Sequence, residues 1–264
     1  MSKRELAVVG QFYPDSKDEL DRYLNHFNNV LEQNNIKIDN SVNSRAIIVP
    51  HAGYIYSGFT ANLAYQYIPN NIKNIIVIGP SHKFGFDGGS VALYDKYPTP
   101  YGDLDINQEL SNELVSKYDF LNFTPQVHCE HSTEVQFPFI KRYKSSSKVV
   151  EIVYSDINYT QISQVVQDLL KDKDNFIVIS TDLSHFYDLK KANKLDNICI
   201  KSILNYDLDI QNNGCEACGM LGVKAMIDVS KNLNLTPIIL DYRTSCDTSN
   251  DSSSVVGYLS VLLK

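Results

Sequence analysis

Several stretches of this chain are apolar at every position, and each stops at or near a residue able to bind a metal or move a proton. Ala46-Ile47-Ile48-Val49-Pro50 stops on His51, and Ile75-Ile76-Val77-Ile78-Gly79-Pro80-Ser81 stops on His82. Phe176-Ile177-Val178-Ile179-Ser180-Thr181 stops on Asp182, with His185 three residues on. Ile238-Ile239-Leu240 leads through Asp241-Tyr242-Arg243 towards Cys246. A strand with no polar face has to be covered on both sides, which is the condition of a mostly parallel sheet between helix layers. In such open sheets, ligands bind outside the carboxyl ends of the strands. The pattern therefore predicts that side chains from His51 to Cys246 converge on one rim.

Helical patterns alternate with these runs. Leu20, Tyr23, Leu24, Phe27 and Leu31 are spaced for one buried helical face behind a cap at Asp15 or Ser16. Further helices are expected near 58–68, 103–117, 134–144, 158–170, 188–205 and 217–230, and the closing strands near 236–242 and 254–263. Residues 119–133 read as irregular. No linker divides the chain. The expectation is one α/β domain over residues 1–264, with a layered central sheet, mostly parallel or mixed, flanked by helices.

A net charge of −7 and the absence of a basic run beyond Lys190-Lys191 argue against a nucleic-acid surface. No window of about 18 uninterrupted apolar residues predicts a membrane span. The opening residues are basic, but the apolar run after them is too short for a secretory leader. Five cysteines in 264 residues do not make a disulfide scaffold. They read as thiols, a metal ligand or core filler in a reducing cytoplasm.

Within Val49-Pro50-His51-Ala52-Gly53-Tyr54-Ile55-Tyr56-Ser57-Gly58, Pro50 restricts the backbone beside the imidazole, and the glycines allow close turns. Gly79-Pro80-Ser81-His82 repeats the strand, proline, histidine order, so both imidazoles are expected at one sheet edge. Asp182, three positions before His185, could orient that ring on one helical turn, which suits an acid/base or a ligand. Thr181 or Asp182 acting as a plain helix cap is the alternative. Cys246 is a thiolate candidate beside two imidazoles, or a small loop residue. In His128-Cys129-Glu130-His131-Ser132-Thr133-Glu134, His131 and Glu134 would share a helical face. Their spacing is not that of the two-histidine zinc proteases, so the whole segment reads as supporting or substrate-contacting rather than as primary ligands. Cys215-Glu216-Ala217-Cys218 has no second pair for a structural zinc site; Cys218-Gly219 is expected to pack tightly near a helix start, with a redox pair as the alternative. No phosphate-cradling loop, dinucleotide fingerprint or nucleophile elbow is present.

Taken in order along the chain, these segments resemble the Memo family, the family of the mediator of ErbB2-driven cell motility. Its prokaryotic members are called AmmeMemoRadiSam system protein B. The resemblance rests on Gly10-Gln11-Phe12-Tyr13-Pro14, the Pro50-to-Gly58 stretch, Gly79-Pro80-Ser81-His82, Glu130 to Phe139, Ser180-Thr181-Asp182-Leu183-Ser184-His185, Cys218-Gly219, and the Cys246 region with Asp251-Ser252-Ser253. It implies a fold related to class III extradiol dioxygenases, non-haem iron enzymes in which two histidines and a carboxylate hold iron. By motif, His51 and His82 would be ligands, and Cys246 would stand where those enzymes have the carboxylate. His185, with Asp182, would be catalytic, and Tyr54, His131 and Glu134 would contact substrate. The resemblance implies Fe(II) first, with copper or zinc as alternatives that a softer thiolate favours. It also implies a small molecule or peptide as ligand and a functional link to a radical-SAM protein. Two classes of function stay open: metal-dependent redox or oxygen chemistry, and a non-catalytic module binding a peptide or small ligand in a dioxygenase-type pocket. A metal-dependent hydrolase is a third.

Overall fold

The all-apolar runs become the middle of one sheet in the computed structural model, which describes residues 2–39 and 42–264. The strands are β1 (Ala46–Val49), β2 (Asn74–Pro80), β3 (Gly89–Val91), β4 (Lys96–Tyr97), β5 (Leu104–Asp105), β6 (Leu121–Asn122), β7 (Lys148–Tyr154), β8 (Asn175–Ser180), β9 (His185–Tyr187), β10 (Pro237–Thr244) and β11 (Val255–Leu263). The helices are α1 (Lys17–Gln33), α2 (Tyr54–Tyr65), α3 (Gln108–Lys117), α4 (His131–Glu134), α5 (Phe137–Tyr143), α6 (Tyr159–Leu169), α7 (Leu189–Leu204), α8 (Met220–Leu233) and α9 (Cys246–Ser249).

The main sheet runs β10-β11-β1-β8-β2-β7-β3-β6, with β9 paired to β11 at one end and β4-β5 a separate pair. β1, β8, β2 and β7 are parallel neighbours. β11 and β3 join that block antiparallel, and β10 is antiparallel to β11. The sheet is thus mixed with a parallel centre, as the unbroken apolar runs require.

Alternation along each strand feeds two cores. Ile47, Val49, Ile75, Val77, Phe176 and Val178 face the α1, α2 and α5 layer. Ile48, Ile76, Ile78, Ile177 and Ile179 face the layer containing α6, α7 and α8. All are essentially inaccessible to solvent, and each contributes about 1.5–3 kcal/mol relative to exposure. On the first face, α1 starts where the Ser16 side chain accepts from the Glu19 amide, and it buries Leu20, Leu24, Phe27 and Leu31. α2 can approach it because residue 58 is glycine: a Cβ there would stand 2.8 Å from the Phe27 ring.

Three sequence expectations change. Asp182 and His185 do not share a helical turn: the Leu183 amide donates to Gly257 O and the Gly257 amide to Ser184 O, so the segment pairs with β11 instead. The cysteines are not all thiols. The chain after α7 folds back, with the Cys215 amide on Ile210 O, and brings Cys215 into a disulfide with Cys199. The 119–133 stretch is not wholly irregular: it holds β6 and a 3-10 turn at Pro125–His128.

Candidate metal site

β1, β8 and β2 lie side by side and run in the same direction, so their carboxyl ends deliver His51, Asp182 and His82 to one rim. The His51 and His82 ring centroids are 5.2 Å apart. His131, at the start of α4, adds a third ring, 5.3 Å from His51 and 4.5 Å from His82. A sulfur completes the group. Cys218 Sγ is 3.2 Å from His51 Nε2, and one donor atom each from His51, His82 and Cys218 all lie within 4.8 Å of one another.

Cys218 reaches the rim through the residue after it. A Cβ on Gly219 would stand 2.7 Å from Ser180 O and 2.7 Å from Thr181 Cβ, so only glycine lets the start of α8 press against the end of β8. The Gly219 amide donates to Thr181 Oγ1 at 2.8 Å, and the Cys218 amide to Asp182 O at 3.2 Å.

Hydrogen bonds behind the rings fix which nitrogen faces the cluster. The Ser180 hydroxyl donates its only hydrogen to Ser132 O and accepts from Gln136 Nε2 at 2.9 Å. His51 Nδ1, 2.9 Å from the same oxygen, must therefore donate to it. That leaves the Nε2 lone pair aimed at Cys218. Glu130 does the same for the other two rings: His82 Nδ1 is 3.1 Å and His131 Nδ1 2.8 Å from Glu130 Oε1. The amides of His82 and Ser132 also donate to this carboxylate. Burial opposes its charge, but the bonds from His131 and His82 prevail and hold Glu130 well below the usual carboxylate range. A carboxylate that orients metal-facing histidines from behind is a recurrent supporting arrangement. Glu130 with His82 and His131 is a second close donor group, yet its oxygens are already taken, which makes it support for the first.

Burial, then the nearby rings of His131 and His82, lower the His51 pKa far below its ordinary value, so the ring is neutral. Burial pushes the Cys218 thiol up to about 12, with Asp182 adding to the shift. Burial also raises Asp182 to about 7, against the amide bond it accepts from His51. Imidazole nitrogens and a polarisable sulfur, held from behind, form a donor set that suits a first-row transition ion. Among the described residues no lysine or arginine is paired with Asp182 or Cys218, so the set fits a cation.

The profile of the Memo-like protein family matches residues 4–262. The chain belongs to the Memo family. It is 37% identical over 276 residues to a MEMO1 family protein of Aquifex aeolicus (strain VF5), covering 99% of each chain. It is 34% identical to a MEMO1 family protein of Sulfurisphaera tokodaii, covering 97% of each. A third, from Thermoplasma acidophilum, is 32% identical over 98% of each. The crystal structure of an uncharacterized protein from Escherichia coli K12 superposes with a TM-score of 0.53 at 14% identity, covering 84% of this chain and 100% of that one. That likeness concerns the fold.

In this Memo-family chain the residues expected at the site separate into groups. His51, His82 and His131 meet, and Asp182 fixes the turn at His51 by accepting that residue's amide at 2.8 Å. His185 begins β9, half-buried, and burial lowers its pKa. Cys246, expected as the third ligand, starts α9 just after β10, the strand at the edge of the sheet, and its neighbour Thr248 donates to Ile55 O at 3.3 Å. Its sulfur belongs to neither donor group. Tyr54 and Glu134 are closed to substrate. Tyr54 is buried, donates to Val135 O at 2.7 Å and stacks on Phe139 with ring centroids 4.5 Å apart. Glu134 is buried against Arg4 and accepts from the Ala7 and Val8 amides. Sequence reasoning did not single out Cys218 and Ser180 as members of the site, whereas Glu130 lies in the segment it read as supporting. The Cys218-Gly219 doublet was the available signal for the sulfur, because glycine after a donor marks a close backbone approach.

Proposed function

We propose that this Memo-family protein holds a first-row transition metal ion on His51, His82 and Cys218 and serves redox or oxygen chemistry on a small molecule. Fe(II) is the expected ion, with copper or zinc as alternatives. One observation carries the reading: Cys218 Sγ and His51 Nε2 are 3.2 Å apart, with His82 in the same donor group and both rings gripped from behind. When bound, iron or copper would supply a redox-active Lewis-acid centre, and zinc a Lewis acid alone. The chain's own residues do the rest. Ser180 and Glu130 keep the ring tautomers fixed, so no reorganisation is needed on loading. His51 and Cys218 form the floor, because His51 is buried. The side chains of His82 and His131 keep 32% and 19% of their exposure, which makes their side the approach for substrate. His185 is the proton-handling residue of this reading, since its lowered pKa keeps it neutral and able to accept a proton.

A cytoplasmic setting and a functional link to a radical-SAM protein belong to the same reading and rest on the family resemblance. Among the described residues no helix is long and apolar enough to cross a membrane. The test is elemental analysis of protein purified without chelator, with oxygen uptake measured on the loaded protein. The reading expects one ion per chain, lost in His51→Ala, His82→Ala and Cys218→Ser. Protein that carries no stoichiometric metal and takes none on loading would overturn it and leave the non-catalytic binding module.

A further inference from the structure

Away from the histidine cluster, α1, the first turn of α2 and the β10–α9 corner enclose a cleft of about 480 Å³. That is within the size range of small-molecule sites. None of His51, His82 and Cys218 lines it. Its walls are aromatic: Tyr23 and Phe27 from α1, Tyr56 and Phe59 from α2. Phe27 makes edge contacts with Tyr23 and Phe59, so the wall is packed in place. Ile55 and Tyr56, at the mouth, keep 55% and 41% of their exposure. Such large apolar side chains in neighbouring positions on one cleft are an unpartnered apolar surface.

The charges in the cleft run against those of the chain. The protein carries −7 overall, yet the cleft is lined by Arg22 and Arg243, with Asp247 as its carboxylate. Asp247 is partly engaged: its Oδ2 accepts from the Thr244 amide at 2.7 Å and from the Thr244 hydroxyl at 3.2 Å. Arg243 is tethered, paired with Asp241 at 3.0 Å and stacked 3.8 Å over the Phe59 ring. Arg22 bonds only a carbonyl of its own helix, Asp18 O, and among the described residues it has no carboxylate partner. A free guanidinium above an aromatic wall suits a flat apolar group ending in a carboxylate, because guanidinium and carboxylate form paired hydrogen bonds.

We propose that this cleft is a second ligand site, separate from the metal cluster, for a small aromatic carboxylate whose ring lies on the Tyr56–Phe59 wall and whose charge meets Arg22. The test is calorimetric titration of the full chain with 2-naphthoate and with its neutral analogue 2-naphthalenemethanol. Wild type, Arg22→Gln, Tyr56→Ser and His51→Ala are compared. Arg22 is exposed and Tyr56 sits at the mouth, so both variants keep the fold. The expected result is one naphthoate per chain, bound about tenfold more tightly than the alcohol, the size of one charge-assisted hydrogen bond. Arg22→Gln should erase that preference, Tyr56→Ser should weaken both ligands, and His51→Ala should change neither. Absence of binding, equal affinity for acid and alcohol, or binding insensitive to Arg22→Gln would overturn the proposal. Binding lost in His51→Ala alone would place the ligand at the metal cluster and overturn it too.

Discussion

Helix α4 has an ionic cluster on each side, and the two are built to opposite ends. On one side Glu134 accepts from Arg4, from the Ala7 and Val8 amides and from the Tyr13 hydroxyl. Its neighbour Glu151 takes His128 Nδ1 at 2.9 Å and the Thr133 hydroxyl. Arg4 also reaches Glu151 at 3.8 Å. Here the protein supplies the cation, and these carboxylates are answered from within. On the other side Glu130 and Ser180 hold the rings from behind, while His51 Nε2 and Cys218 Sγ face each other with no cation of the protein's own. The first cluster is complete as folded and ties the N-terminal segment to the core. The second is closed by the Cys218 thiol on His51 Nε2, a bond that an ion would replace in the proposed reading. Burial and strong hydrogen bonding are common to both, so what separates them is whether the protein supplies its own cation.

The largest expected effect lies in the closed cluster. Arg4→Met would leave Glu134 and Glu151 buried without their cation and should cost about 3–5 kcal/mol in urea unfolding. The folded fraction should bind metal as before. A loss of metal affinity equal to the loss of stability would merge the two clusters and break the contrast. Glu130→Gln should do the reverse, lowering metal affinity roughly 10–100-fold with a smaller fall in melting temperature than Arg4→Met. Unchanged affinity would remove Glu130 from the support of the site.

Acidity sharpens the contrast further. The Cys218 thiol, pushed up to about 12, is protonated in the metal-free protein near neutrality and must lose that proton on binding. Affinity should therefore rise with pH, about tenfold per unit between pH 8 and 10, one proton being released per ion. His51 is already neutral there and adds no slope. A flat profile would mean that the sulfur is not a ligand. The smallest effect concerns strain, which the open side carries beside His185. Phe186 has φ +64° and is 76% exposed, a left-handed backbone that costs a non-glycine residue about 1–2 kcal/mol. Phe186→Asn should raise stability by up to about 1 kcal/mol in the same unfolding assay, since asparagine tolerates that conformation. A destabilised variant would show that the exposed ring packs on something.

Much of this was legible in the sequence. Runs such as Ile75 to Ile78 have no polar face, and that alone required helices on both sides of a sheet. Because β1 and β2 end in the same strand, proline, histidine order, the meeting of His51 and His82 could also be read. The sulfur could not be read that way. Cys246 follows a strand as the histidines do, but strand order is a long-range property, and β10 lies at the far edge. Cys218 precedes a helix and reaches the rim sideways, through a contact with Ser180 and Thr181 that leaves only a glycine as its trace. The disulfide was hidden for the same reason: Cys199 and Cys215 are 16 residues apart in sequence, and they meet only because the chain turns back over α7. Glu134 looked chemical beside His131 because nothing local announces Arg4, which comes from the other end of the chain.

The central claim is that the sulfur of residue 218, and not that of 246, completes the histidine pair. Metal content and affinity of Cys218→Ser and Cys246→Ser, prepared identically and compared with wild type, test it directly. The account predicts that Cys218→Ser loses its stoichiometric ion while Cys246→Ser keeps wild-type occupancy. Full occupancy in Cys218→Ser, or loss in Cys246→Ser, would contradict it.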